Sequence, residues 1–179
     1  MEIVDPIRNI RHIRLLKKEL KKTSSRDYCF FVLGINTGLK INTMLQLRTD
    51  QLMDDAGKMN VFIEVNGQRI YLNEKVRTAL THHLIHEGHA ADEFLFHSPK
   101  SGGPISRQQA YRVIHNAARQ IGIDDQIGTH TIRKTFGYHA YIKGIAISLI
   151  QKRYNHSSPS ETLRYIGFDQ AELKLDVNL

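Results

Sequence analysis

His130-Thr131-Ile132-Arg133, and further on His156-Ser157-Ser158-Pro159-Ser160-Glu161-Thr162-Leu163-Arg164-Tyr165, are the stretches that decide how this chain is read. Four polar side chains stand out in them: His130, Arg133, His156 and Tyr165. His130 precedes Arg133 by one helical turn, so a helix here presents both on one face. The guanidinium of Arg133 is a planar fork that matches two phosphate oxygens. Ser157-Ser158-Pro159-Ser160 reads as a capped turn, which places Tyr165 on a short helix. An H-x-x-R motif alone is weak. The ordered set of His and Arg, then His, then Tyr is far more specific.

Working outward, the periodicity is mostly helical. Ile10, Ile13, Leu16 and Leu20 predict an amphipathic helix over residues 8–22 with a basic opposite face. Thr23-Ser24-Ser25 breaks it and caps a core helix over about 25–37, which Gly38 ends. A shorter helix follows over 41–47. The period then changes to two: residues 59–65 and 68–72 read as strands joined by Asn66-Gly67, a strong hairpin signal. Helices are expected over 73–87 and 106–120, with Ser106 as cap, and then over 129–143, 145–153 and 158–165, with a tail helix from Asp169. The expected fold class is α+β, mostly α with one small antiparallel hairpin.

Composition sets the partner class. The chain has 179 residues, 25 Lys and Arg against 18 acids, and a net charge of +7. That balance favours a polyanion, most simply nucleic acid. The single cysteine, Cys29, excludes a disulfide framework and reads as a buried thiol. There is no membrane-length apolar run and no signal-peptide pattern, so a cytoplasmic protein is expected.

The four residues, with Gly128-Thr129 before His130 and Thr162-Leu163-Arg164 before Tyr165, resemble the catalytic core of the tyrosine recombinases, the phage-type integrases. Gly34 to Leu47 resembles the box that carries that family's first catalytic Arg. The likeness spans about residues 25–168 and looks closest to compact bacterial integrase-like proteins, bacterial or phage-encoded. It implies one catalytic domain over 1–179 with no separate N-terminal DNA-clamping domain. It also implies DNA strand cleavage and rejoining through a 3′-phosphotyrosine. Tyr165 would be the nucleophile, Arg133 and His156 would hold the phosphate, and His130 would assist proton transfer. No metal or other cofactor is needed if side-chain cations supply the charge. Double-stranded DNA and a homotetramer on it are the implied partners, with Ala171 to Leu179 available to pass to a neighbour.

Two departures leave an alternative open. The first-Arg position holds Lys40, which keeps charge but loses the fork. Thr43 stands where the family has an acid. The family's sheet Lys, a general acid, has no counterpart in the short hairpin; Lys58 precedes it, and Arg69 is a poor proton donor. The alternative is an impaired homologue that binds DNA as a regulator or accessory protein.

Other features read more plainly. Arg8, Arg11, Lys18 and Lys22 on the first helix are candidates for DNA-backbone contact, as are Lys100, Arg107 and Arg112. His82, His83, His86 and His89 read as a solvated helix end rather than a metal site, because no Cys or carboxylate completes a tetrahedral set.

Overall fold

The computed structural model describes residues 4–88, 90, 92–123 and 127–168. Its elements are α1 (Ile10–Thr23), α2 (Ser25–Thr37), α3 (Ile41–Leu45), β1 (Phe62–Val65), β2 (Gln68–Tyr71), α4 (Glu74–Glu87), α5 (Arg107–Gln120), α6 (Thr129–Ile142), α7 (Ile147–Tyr154) and α8 (Pro159–Tyr165). This is the mostly helical architecture with one hairpin that the periodicity predicts. The expected tail helix from Asp169, and the segment from Ala171 to Leu179, lie outside the described residues.

Local chemistry sets most boundaries. Ser24 begins α2 by accepting the Asp27 N–H on its side chain, and Gly38 ends it in the left-handed conformation at φ 67°. Ser106 caps α5 in a reciprocal box with Gln109. Asn66 and Gly67 both have positive φ, and Val65 pairs with Gln68, so the hairpin closes through a two-residue loop. The strands are shorter than expected at the open end of the hairpin only. Met59 pairs only as an isolated bridge with Met53. The first helix begins two residues late, because Asn9 caps it by accepting the Arg11 N–H. Arg8 therefore lies before the helix, not on its basic face.

α2 is the central element. Cys29, Phe30, Phe31, Val32 and Leu33 are all buried, and the helix packs on α1, α3, α4, α5 and α6. Phe30 meets Phe96 edge to face with centroids 5.1 Å apart. α1 contributes Ile13, Leu16 and Leu20. Each such leucine is worth about 2–5 kcal/mol against truncation to Ala. Burial drives the Cys29 thiol pKa upward and keeps it inert.

A second, smaller core lies beneath α6, α7 and α8. Ala140, Ile150, Tyr154 and Ile166 are buried there, with Phe136, Tyr141 and Tyr165 packed against them. Gly137 makes this possible: a Cβ on it would strike Tyr154 Oη and Ile166. Residues 4–8 cross the same core as a strap. The Ile7 N–H donates to Thr135 Oγ1 at 2.9 Å, Lys134 Nζ to the Val4 carbonyl at 2.8 Å, and Arg8 Nη2 to the Gly167 carbonyl at 2.9 Å.

The histidine cluster needs correction. His83 is fully buried, with Nε2 donating to the Leu95 carbonyl at 2.9 Å and Nδ1 3.2 Å from Ser25 Oγ. It is a satisfied core histidine, because α4 turns that face onto α2. His82 and His86 are exposed, with ring centroids 4.3 Å apart and planes tilted by 41°. His89 lies outside the described residues.

Candidate active site

The starts of α3, α5 and α6 and the ends of α7 and α8 converge on a cleft of about 380 Å³ lined by Lys40, Arg107, His130, Arg133, His156 and Tyr165, with Tyr154 as its buried wall. All five residues expected from the sequence as the catalytic set are therefore brought together, from segments far apart in the chain. Among the described residues no carboxylate lines this cleft.

Arg133 is 8% exposed and rises from the first turns of α6. Its Nη2 donates to the Tyr154 carbonyl at 3.1 Å, and its guanidinium lies over the Tyr154 ring at 4.5 Å. Its Nε is buried without a partner. A buried unpartnered N–H is costly unless something arrives to accept it. Burial holds the Arg133 pKa below its ordinary value, and the two nearby phenols only partly offset this. The group is a desolvated cation awaiting an anion.

Tyr165 sits at the end of α8, whose N-terminus is set by the Ser158 cap and Pro159. Its hydroxyl lies 3.4 Å from His130 Nδ1, and the other ring nitrogen of His130 is 3.3 Å from Arg107 Nη2. A guanidinium can only donate, so Nε2 is the acceptor here and the neutral ring carries its proton on Nδ1, facing the phenol. Burial raises the Tyr165 pKa, while Arg133 pulls it back. Lys134 Nζ lies 5.3 Å from the Tyr165 ring centre.

His156 follows Asn155, which ends α7 in the left-handed conformation at φ 56°. Its Nδ1 is 3.0 Å from Thr162 Oγ1, and the Thr162 hydroxyl reaches the Ser158 carbonyl at 3.2 Å. Burial lowers the His156 pKa first, Glu161 opposes this, and Arg133 and Lys40 lower it further. Lys40 is exposed at the start of α3. It stands at the join between this cleft and a second one of about 300 Å³. The hairpin loop forms the far edge of that second cleft through Asn66 and Gln68. Asn66 Nδ2 points to Thr43 Oγ1 at 3.5 Å, and Gln68 Nε2 donates to the Lys152 carbonyl at 3.3 Å. Lys58 lines neither cleft, and Arg69 is stacked on Phe62 at 4.1 Å.

The remaining basic candidates scatter. Arg107 is in the site itself. Arg11, Lys18 and Lys22 are exposed on α1, with Lys22 paired to Glu19 at 2.8 Å. Arg8 is spent on Gly167 and on the Tyr138 ring, 5.3 Å away. Lys100 occupies an exposed turn outside both clefts. Arg112 lies between α1 and α5 in a cleft that also holds Glu19 and Asp27. Sequence reasoning missed Tyr154, Arg153, Lys134 and Thr162. The neighbours of His156 were in plain view, but nothing in the sequence says that α7 turns Tyr154 and Arg153 toward Arg133.

A profile of the phage integrase family matches residues 9–172. The chain belongs to that family. Probable integrase/recombinase YoeC of Bacillus subtilis is 38% identical over 174 residues, covering 95% of this chain and 93% of that protein. Type 1 fimbriae regulatory protein FimE of Escherichia coli is 30% identical over 155 residues, covering 83% and 78%. Among solved structures, XerA recombinase superposes with TM-score 0.77 at 18% identity, over 96% of this chain and 62% of that one. A lambda integrase dimer bound to a COC′ core site gives TM-score 0.70 at 13% identity, over 98% and 53%. The integrase-family chain described here thus spans roughly half to two thirds of those structures, which speak to its fold. Among the described residues no helix is long and apolar enough to cross a membrane.

Proposed function

We propose that this integrase-family protein cuts and rejoins DNA strands in site-specific recombination, with Tyr165 as the nucleophile. The observation that carries the reading is one cleft, with no carboxylate among its described lining residues, that holds Tyr165, His130, Arg133, His156 and Lys40 together. The phenol oxygen attacks the scissile phosphorus and its proton passes to solvent, the bond to the 5′ oxygen breaks, that oxygen takes a proton from solvent and leaves as a 5′-hydroxyl, and a 3′-phosphotyrosine remains. Arg133, His156 and Lys40 hold the non-bridging oxygens, where charge builds in the transition state. The phosphate also gives the buried Arg133 Nε the acceptor it lacks. His130, whose Nδ1–H faces the Tyr165 hydroxyl, donates to that oxygen and stabilises the charge that develops on it. Double-stranded DNA is the substrate, and a tetramer on paired sites is the assembly this chemistry requires for strand exchange. Arg107, at the mouth of the cleft, and the exposed Arg11 and Lys18 contact the backbone.

A second reading is favoured by Lys40, Thr43 and the hairpin edge of Asn66 and Gln68, where the resemblance calls for Arg, an acid and Lys. In that reading the chain binds DNA without cutting it. Capture of an SDS-resistant protein–DNA adduct on a pool of nicked duplexes separates the two. The wild type is expected to form the adduct and Tyr165→Phe to form none. Binding without an adduct in the wild type selects the second reading.

A further inference from the structure

Lys40 leaves the integrase-family site one guanidinium short, yet a second arginine reaches the same place from an element the motif does not include. Arg153, in the last turn of α7, lines the second cleft together with Lys40 and Arg133. Its Nη1 donates to the carbonyl of Thr37, three residues before Lys40. Its guanidinium lies 6.0 Å from the Phe136 ring centre. Among the described residues no carboxylate pairs with Arg153, and none lines the second cleft. Burial holds its pKa below the ordinary value, and Arg133 adds repulsion. A buried and a half-buried guanidinium lining one cleft, with an ammonium beside them and no acid among the described residues, are destabilising as they stand. They become favourable when an anion arrives with oxygens to spread among them.

We infer that Arg153 is a phosphate-binding residue that supplies the planar fork lost at position 40, so that Lys40, Arg133 and Arg153 together form one oxyanion-binding floor. The chemical class of the ligand is a phosphodiester or another tetrahedral to trigonal oxyanion. The inference rests on the proposed function for its biological meaning, but it stands on its own as an anion site. A bland role exists for Arg153: its charge and its bond to Thr37 suit the C-terminal end of α2. That role predicts a stability loss but no coupling to Lys40.

The test is orthovanadate binding to the full chain, read as the rise in unfolding temperature with vanadate concentration. The variants are Arg153→Leu, Arg153→Lys, Lys40→Arg and the double Lys40→Arg with Arg153→Leu. Loss of a charge-assisted fork is expected to weaken the apparent vanadate Kd of Arg153→Leu by about 10- to 100-fold. Arg153→Lys, which keeps the charge near Thr37 and folds if Arg153→Leu does not, is expected to lose most of the same affinity. The double variant is expected to recover within a few-fold of wild type, since Lys40→Arg restores the fork from the other side. No vanadate effect in the wild type overturns the inference. So do Arg153 variants that bind like wild type, and a double variant as weak as Arg153→Leu. Adduct capture on nicked DNA fails or succeeds separately. An Arg153-dependent vanadate site with no adduct sinks the enzyme reading alone, and an adduct with vanadate binding indifferent to Arg153 sinks this inference alone.

Discussion

Two tyrosines stand edge to face in the cleft, with ring centroids 5.3 Å apart, and their hydroxyls have different surroundings. The Tyr165 hydroxyl has one described neighbour, His130 Nδ1 at 3.4 Å, a long contact. Its ring packs on His156 at 5.0 Å and beneath Lys134. Phenylalanine keeps all of that ring packing. Tyr165→Phe should therefore change stability by less than about 1 kcal/mol, the weight of one weak, partly solvated hydrogen bond. It should also remove every trace of covalent DNA adduct. Tyr154 is 3% exposed, its hydroxyl donates to the backbone carbonyl of Arg133, and burial pushes its pKa well above the phenol range. Buried and already donating to a carbonyl, this hydroxyl is not presented to the cleft, and its removal strips a partner from that carbonyl. Tyr154→Phe should cost about 1–3 kcal/mol, lowering Tm by about 2–12 °C for a chain of this size. It should still yield adduct at a temperature where it is folded. The assays are thermal unfolding by circular dichroism and SDS-resistant adduct on nicked duplexes, run on both variants. An adduct that persists in Tyr165→Phe and disappears in folded Tyr154→Phe would move the nucleophile to Tyr154 and refute the reasoning.

Lys40→Met removes an ammonium from the phosphate floor and should slow adduct formation by about 10²–10³; cleavage at the wild-type rate would show that Lys40 plays no part. Gly137→Ala drives a methyl into Tyr154 Oη and Ile166. It should destabilise by about 1–3 kcal/mol and depress adduct yield with it, and an unchanged Tm would mean that α6 and α8 are not so closely packed. His156 has a folded-state pKa below its ordinary 6.5, chiefly through burial. The unfolded chain therefore binds more protons just below that value, so this group makes stability rise with pH through the window under 6.5 and fall as pH drops. His156→Gln should flatten the Tm difference between pH 7.5 and pH 5.5, and an identical slope in both proteins would remove His156 as its source.

What the sequence made legible is what neighbours in the chain decide. Gly38, Ser106 and Asn66-Gly67 set their own backbone geometry, so their caps and turn were readable without the fold. The order of His130, Arg133, His156 and Tyr165 was readable because each occupies a fixed place relative to a helix end. The rest depended on contacts between distant segments. His83 looks solvated beside His82 and His86 until α4 turns it onto Ser25 and Leu95. Arg8 looks like the first residue of a basic stripe, yet Asn9 starts the helix and leaves Arg8 to reach Gly167. Arg112 reads as one basic residue on a helix face, and only the fold shows that it shares a cleft with Glu19 of α1 and Asp27 of α2. Arg153 and Tyr154 carried no motif at all, because their importance comes from α7 lying across the mouth of α6.

The strap of residues 4–8 ties the earliest part of the chain to the latest. Its hydrogen bonds to Thr135, Lys134 and Gly167 span 128, 130 and 159 residues. A ribosome adds about 5–20 residues per second, so the strap waits many seconds for its partners to emerge. Contacts of such long sequence separation also form late and slowly in folding. The closure beside the helix that carries Tyr165 therefore completes late, and the seat of the proposed nucleophile is among the last parts of the fold to form.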